Sequence, residues 1–231
     1  MKLFTRRALF PLLLWCLATP LHAEDTLLFP KNDAGYAMEL SYMPLTPMPD
    51  ESRDKTPDED NTKVLSVRLL APDATKHSKP LILPLRFDLA EVDQSAIAWS
   101  PDGTKVAVVL KCWKPGEHPE SRMLVFSCGN GDIRPLPLPD VATQLVAMRR
   151  DLAILSLEYV TSIVTSEASP TPKVFGWIGE DLLAVRLDGS CELAHDIGGT
   201  ETREVHGSVV FQVTKEGVVT IKEVLALRIQ G

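Results

Sequence analysis

The chain has 231 residues, with 24 lysines and arginines against 31 aspartates and glutamates, a formal charge of −7. That balance argues against nucleic acid, whose phosphates demand a basic footprint, and against adsorption to anionic lipid. It favours solubility and, where there is a partner, a basic one.

The first 23 residues, MKLFTRRALFPLLLWCLATPLHA, have the three parts of an export signal. Lys2, Arg6 and Arg7 give a positive start, Ala8 to Ala18 an apolar core, and Leu21-His22-Ala23 a cleavage site after Ala23. The core is shorter than the roughly 20 apolar residues a stable span needs, and no later stretch approaches that length, so no membrane span is expected after cleavage. The alternative is an uncut anchor. Arg6-Arg7 loosely resembles a twin-arginine signal, although paired arginines also occur in ordinary signals. Cys16 follows the bulky Trp15 where a lipoprotein signal has a small residue, so lipidation is not expected. Cleavage removes three basic and no acidic residues, leaving 208 residues with a charge of −10. That length suits a single domain at 24–231. The compartment expected is the periplasm, with the extracellular space as the alternative.

Residues 24–48 are mixed, with short strand-like character around Tyr36 to Leu40. The next stretch, PDESRDKTPDEDN at 49–61, has no large apolar residue and reads as an exposed acidic loop. Its tip, Asp58, Glu59 and Asp60, is a candidate protein-binding element and offers the oxygen ligands that calcium takes. It lacks the alternating ligands and central glycine of an EF-hand, so a solvated charge run is the favoured reading and no cofactor is expected.

From residue 62 the chain becomes a series of short apolar runs separated by turn residues. They lie at 64–70, 80–87, 105–113, 122–128, 144–148, 152–160, 173–178, 181–187, 208–213 and 217–229. Valine, isoleucine and aromatics dominate them, and no long segment has convincing helical periodicity, so the pattern predicts an all-β protein.

One stretch is more specific: AIAWSPDGTKVAVVLK at 96–111. Pro101 and Asp102 suit the two central positions of a turn, and Gly103 accepts the left-handed conformation that follows. Trp99 precedes the turn and needs a packed neighbour. In the following strand Val106, Val108 and Leu110 alternate with Ala107, Val109 and Lys111, giving two mostly apolar faces. Such a strand lies between two layers. A loop centred near Glu117 then opposes Cys112 to Arg122 and Cys128 to Val106, placing the two cysteines roughly 20 Å apart. No Cys112–Cys128 bond is therefore expected, and with Cys191 the cleaved chain holds an odd number of cysteines. No CxxC pair or Cys/His cluster supports zinc.

The unit recurs. FGWIGEDLLAVRLDGSCEL repeats the order aromatic, turn, apolar strand, Asp-Gly turn, strand, aligning Trp177 with Trp99 and Leu183-Ala184-Val185 with Val106-Ala107-Val108. VAMRRDLAILSLE is an eroded copy with Met148 in the tryptophan position, and HGSVVFQVTKEGVVTIKEV a candidate fourth. WSPDGTKVAVV, followed by a strand and a Gly-Asp turn, resembles the blade motif of the TolB-like and WD40-like β-propellers of exported bacterial proteins. The resemblance is strongest over 96–139. It implies a small or partial β-propeller-like array of antiparallel sheets, with a β-sandwich as the alternative, and a platform that binds another protein.

Catalytic motifs are absent: there is no GxSxG elbow, HExxH pair or phosphate-cradling glycine loop. His77, His118 and His206 carry no local motif. His195 and Asp196, in ELAHDIGG, are the most site-like pair, but neighbours on a strand point to opposite faces and cooperate only in a bend. The expected function is an exported, non-catalytic protein-binding module, within which an inhibitor or immunity-type partner of a periplasmic enzyme is the narrower idea. The alternatives are a hydrolase or lyase with a site at the sheet centre around His195, and a structural envelope protein. The loops expected to carry function are 49–61, 114–121 and 165–172.

Overall fold

The structure, a computed structural model, describes residues 26–29, 31–44, 63–72, 78–87, 96–114, 116–128, 131–149, 152–160, 175–194 and 199–230. The signal segment, the acidic tip Asp58-Glu59-Asp60, His77, the 165–172 loop, and His195 with Asp196 all lie outside these residues.

In chain order the elements are β1 (Thr26–Leu28), β2 (Ala37–Pro44), β3 (Lys63–Leu70) and β4 (Leu81–Leu83). Next come β5 (Arg86–Phe87), β6 (Ile97–Trp99), β7 (Lys105–Trp113), β8 (Glu120–Ser127), β9 (Arg134–Leu136) and a helix, α1 (Val141–Met148). The last are β10 (Leu152–Val160), β11 (Phe175–Ile178), β12 (Leu182–Ala194), β13 (Thr200–Val213) and β14 (Val219–Gln230). Among the described residues the protein is all-β apart from α1, and the strands form three antiparallel sheets.

The first sheet is the meander β1-β2-β3-β4. The second runs β5-β7-β8-β9 with β6 also on β7, and the third runs β10-β12-β13-β14 with β11 also on β12. The second and third sheets therefore share one plan. In each, the edge strand is broken in two, and both pieces pair with the long second strand. β5 meets Trp113 and Cys112 while β6 meets Val108 to Val106. Likewise β10 ends opposite Arg186, and β11 resumes opposite Val185. Trp99 opposes Val106, and Trp177 opposes Leu183, so the alignment read from the sequence holds residue for residue.

Strand β7 explains how the sheets stack. Its residues from Lys105 to Leu110 are all buried, as two apolar faces require. Val106, Val108, Leu110 and Cys112 join a core with Met38, Leu40, Leu65 and Val67 of the first sheet. Ala107 and Val109 point the other way, into a core with Leu183, Val185, Val209 and Phe211 of the third. The second sheet is the middle layer of a stack whose members pack face to face like consecutive blades of a partial propeller. Each adjacent pair is locally a sandwich. Among the described residues no strand pairing closes the array into a barrel or ring.

The structure corrects several sequence expectations. The apolar run at 80–87 is two strands in two different sheets, because Pro84 cannot donate a ladder hydrogen bond and the chain changes sheet there. Residues 144–148 are helix: Asp140 caps α1 through Thr143, and Val141 and Leu145, four residues apart, are its buried side. Met148 ends that helix, 63% exposed, so it takes no tryptophan-like place in a blade. The proposed fourth unit is the β13–β14 hairpin of the third sheet.

The Asp188-Gly189 turn does not exist either. β12 runs straight through it, and the residue needed there is glycine because β10 bulges between Ile154 and Ser156. A Cβ on Gly189 would lie 2.1 Å from the Ser156 carbonyl oxygen. The β7–β8 hairpin is tighter than expected, with Cys112 opposite Glu120 and Val106 opposite Phe126. The Glu117 N–H closes on the Lys114 oxygen at 3.0 Å, which centres the turn at Gly116. A two-residue shift keeps every side chain on its expected face. Cys112 and Cys128 remain at opposite ends of the hairpin as buried free thiols, and Cys191 is buried in the third sheet.

Candidate functional site

The Trp-Ser-Pro-Asp-Gly turn is rigid because its polar groups satisfy one another. The Gly103 N–H donates to the Ser100 oxygen at 2.8 Å and the Ser100 N–H to the Lys105 oxygen at 2.9 Å. Ser100 Oγ accepts the Lys105 N–H at 2.9 Å and donates to Asp102 Oδ1 at 2.5 Å. Asp102 also accepts the Thr104 N–H at 3.1 Å and the Thr104 hydroxyl at 2.7 Å. Burial works against its charge, but these hydrogen bonds and the Lys105 ammonium hold its pKa below the usual carboxylate range. Gly103, at φ +68°, takes the left-handed position expected of it. The Gly103 N–H to Ser100 oxygen bond sets Pro101 and Asp102 at the two central positions of the turn, directly after Trp99 and Ser100.

The turn is also the joint between two sheets. The Trp177 indole N–H, from β11, donates to the Ala98 oxygen of β6 at 3.0 Å. Lys105 is buried, reaches back to donate to the Glu180 carbonyl oxygen at 3.0 Å, and sits 5.8 Å from the Trp177 ring centroid. Among the described residues its nearest carboxylate oxygen, Asp102 Oδ2, is 3.9 Å away, an ion pair beyond hydrogen-bonding distance.

Clefts open on both sides of this turn. One, of about 510 Å³, lies between the loop 31–34 and residues 99–103. The other, of about 370 Å³, lies against the third sheet and is lined by Asp102, Thr104, Lys105, Ser127, Thr214 and Lys215 among others. The loops β1–β2, β6–β7, β11–β12 and β13–β14 therefore gather at one end of the stack. Large apolar side chains are exposed where strands enter these loops: Leu28 at 60%, Ile178 at 58% and Val218 at 55%. Charges border them, from Lys31 and Asp33 to Glu180 and Lys215. A third cleft, of about 520 Å³, lies between β8, the start of α1 and β10. There Ser121 Oγ accepts the Tyr159 N–H at 3.1 Å, and burial with the Asp140 charge pushes the Tyr159 hydroxyl up to about 12.

The turn-like histidine at 118 is exposed in the β7–β8 loop, beside the Arg122 pairs to Glu117 and Glu120 at 3.3 Å. A histidine cluster that local motifs missed lies on the third sheet. The register sets Asp188 opposite His206, whose Nδ1 is 2.9 Å from Asp188 Oδ1 and whose Nε2 is 3.3 Å from Glu204 Oε2. Arg186 Nε donates to the same Asp188 oxygen at 3.0 Å. The hydrogen bond to Asp188 leads the effects that raise the His206 pKa. Both ring nitrogens are engaged by carboxylates, which favours a fixed imidazolium over a base free to take a proton. Only pairing across strands brings these residues together, so no short motif announces them. Among the described residues no His, Cys, Asp and Glu group is arranged to hold a metal ion. No family model matches the sequence, and no curated protein matches it.

Proposed function

We propose that the chain is an exported, periplasmic, non-catalytic protein-binding module of TolB-like β-propeller type, and that it binds through the loop end around the Trp-Ser-Pro-Asp-Gly turn. The observation that carries this reading is the pairing of a hydrogen-bonded turn with exposed Leu28, Ile178 and Val218 and with clefts on both flanks. Apolar anchors rimmed by charge, held on a rigid scaffold, are what a protein interface uses. The turn's own polar groups are consumed internally, so its part is shape. The excess of acidic residues favours a partner of basic surface. An inhibitor or immunity-type role would use the same surface.

The test is site-specific photocrosslinking in cells, with the probe placed at Asp33, Glu180 or Val218 and a control at Glu158 on the third sheet. The expected result is one adduct from the loop-end positions and none from Glu158. Uniform or absent crosslinking from the loop end overturns the assignment of this surface. N-terminal sequencing of the periplasmic protein checks export: a start at Glu24 supports it, and retention in the cytoplasm overturns it.

A further inference from the structure

Lys105 holds a charge in an unusual position. Its residue surface is only 6% exposed, yet no carboxylate among the described residues comes within hydrogen-bonding distance of its ammonium group. One N–H goes to the Glu180 carbonyl, and the face of Trp177 lies 5.8 Å from the nitrogen. An ammonium has three donors, and a buried charge is ordinarily paired and hydrogen-bonded. Asp102, the nearest acid among the described residues at 3.9 Å, already accepts bonds from Ser100 and Thr104. The space beside Lys105 is the cleft of about 370 Å³, which is lined also by Ser127 and by a second cation, Lys215, while the Thr104 hydroxyl is already given to Asp102. Arg134 is close by, since a Cβ on Gly217, which also lines the cleft, would lie 2.9 Å from its guanidinium.

We propose that this cleft is a carboxylate-binding subsite that receives one acidic group of a partner polypeptide. The ammonium of Lys105 supplies the charge-assisted hydrogen bond, and Ser127 and Lys215, which also line the cleft, supply further donors. This rests on the protein-binding reading and adds the chemistry of one contact. A partner basic overall and anchored by a single carboxylate satisfies both the long-range charge and this local site. Asp102 and Glu180 also border the cleft, so the subsite selects a single carboxylate over a doubly charged phosphate.

The experiment titrates the folded protein with small probes and follows the backbone amides of Thr104, Ser127 and Gly217 by NMR. N-acetylglutamate amide offers a side-chain carboxylate, N-acetylglycine a terminal one, and N-acetylglutamine amide is the neutral control. Saturable shifts with a carboxylate probe and none with the control are expected, and the stronger of the two carboxylate probes identifies the source. Lys105→Met should weaken binding roughly ten-fold or more, and Lys215→Gln by a smaller factor, as losses of charge-assisted contacts. Glu180→Gln should tighten it. Equal shifts with the neutral control, no saturable shift with either carboxylate, or unchanged binding in Lys105→Met each overturn the proposal. If Lys105→Met does not fold, the wild-type comparison of acid with amide still decides. Crosslinking from Asp33, Glu180 and Val218 is read separately, so loss of the subsite and loss of the binding surface are distinguishable.

Discussion

The indole N–H of Trp177 donates to the carbonyl oxygen of Ala98 at 3.0 Å, fastening the second piece of the third sheet's edge strand to its counterpart in the second sheet. The two residues stand 79 apart in sequence, so this bond stabilises the stacking of sheets and not a hairpin. Trp177→Phe keeps an aromatic ring and removes the donor. Urea unfolding should show a loss of about 1 kcal/mol, the usual worth of one such bond. An unchanged midpoint would mean that this bond contributes nothing to holding the two sheets together.

Gly103→Ala tests the turn itself. The φ of +68° disfavours a side chain, and a Cβ would lie 2.8 Å from Asn32 Nδ2 in the neighbouring loop of the first sheet. The expected cost is about 1–3 kcal/mol by thermal or chemical unfolding. Asp102→Asn should act differently. Because hydrogen bonds hold the folded-state pKa of Asp102 below its ordinary value, its contribution is present above the unfolded carboxylate pKa. It fades as pH falls through the lowered folded value. Unfolding midpoints measured down the acid limb should therefore fall less steeply in the asparagine variant.

The conformational half of this architecture is legible in the sequence, and the reason is local. Pro101, Asp102 and Gly103 specify a turn by their own backbone preferences, and the two apolar faces of Val106 to Leu110 specify burial on both sides. What stays hidden depends on partners distant in the chain. Gly189 looks like a turn residue until the bulge of β10 comes to lie against it. Residues 144–148 look like a strand because one apolar run suits either element, and only the cap at Asp140 with the buried pair Val141 and Leu145 decides for helix. The His206 cluster and the buried ammonium of Lys105 are both products of pairing between strands or sheets, so neither has a sequence motif.

Gly189→Ala and Gly176→Ala make a matched pair in the third sheet. A Cβ at 189 meets the Ser156 oxygen at 2.1 Å, whereas one at 176 meets nothing within 4 Å. The first should cost about 3 kcal/mol through displaced backbone, near the upper end for overpacking. The second should leave stability within about 0.5 kcal/mol of wild type. Equal effects in unfolding measurements would show that the β10 bulge does not press on Gly189.

His206 predicts a pH dependence of the opposite sign to that of Asp102. Asp188 and Glu204 face its ring nitrogens, with Arg186 on the same Asp188 oxygen and Arg228 opposite it on β14. Because the folded-state pKa is raised, the stabilisation is full below the ordinary histidine pKa and is lost as pH rises through the raised value. The cluster faces solvent, so the effect should stay below about 1 kcal/mol. His206→Gln should flatten the stability profile between about pH 5 and pH 9, the range that spans histidine titration. A profile identical to wild type would remove any electrostatic role for the cluster.

The thiols give the last prediction. Burial pushes Cys112 and Cys128 each up to about 12, although the Arg122 charge partly opposes this at Cys112. At about pH 8 their thiolate fraction is then on the order of one in ten thousand, and the thiolate is the reactive form. A chain beginning at Glu24 should show almost no fast reaction with a thiol reagent while folded and three equivalents once denatured. The same burial shields Cys112 and Cys128 from oxidants. A Cys112–Cys128 linked peptide in a non-reducing digest would break the β7–β8 register, which holds the two at opposite ends of the hairpin.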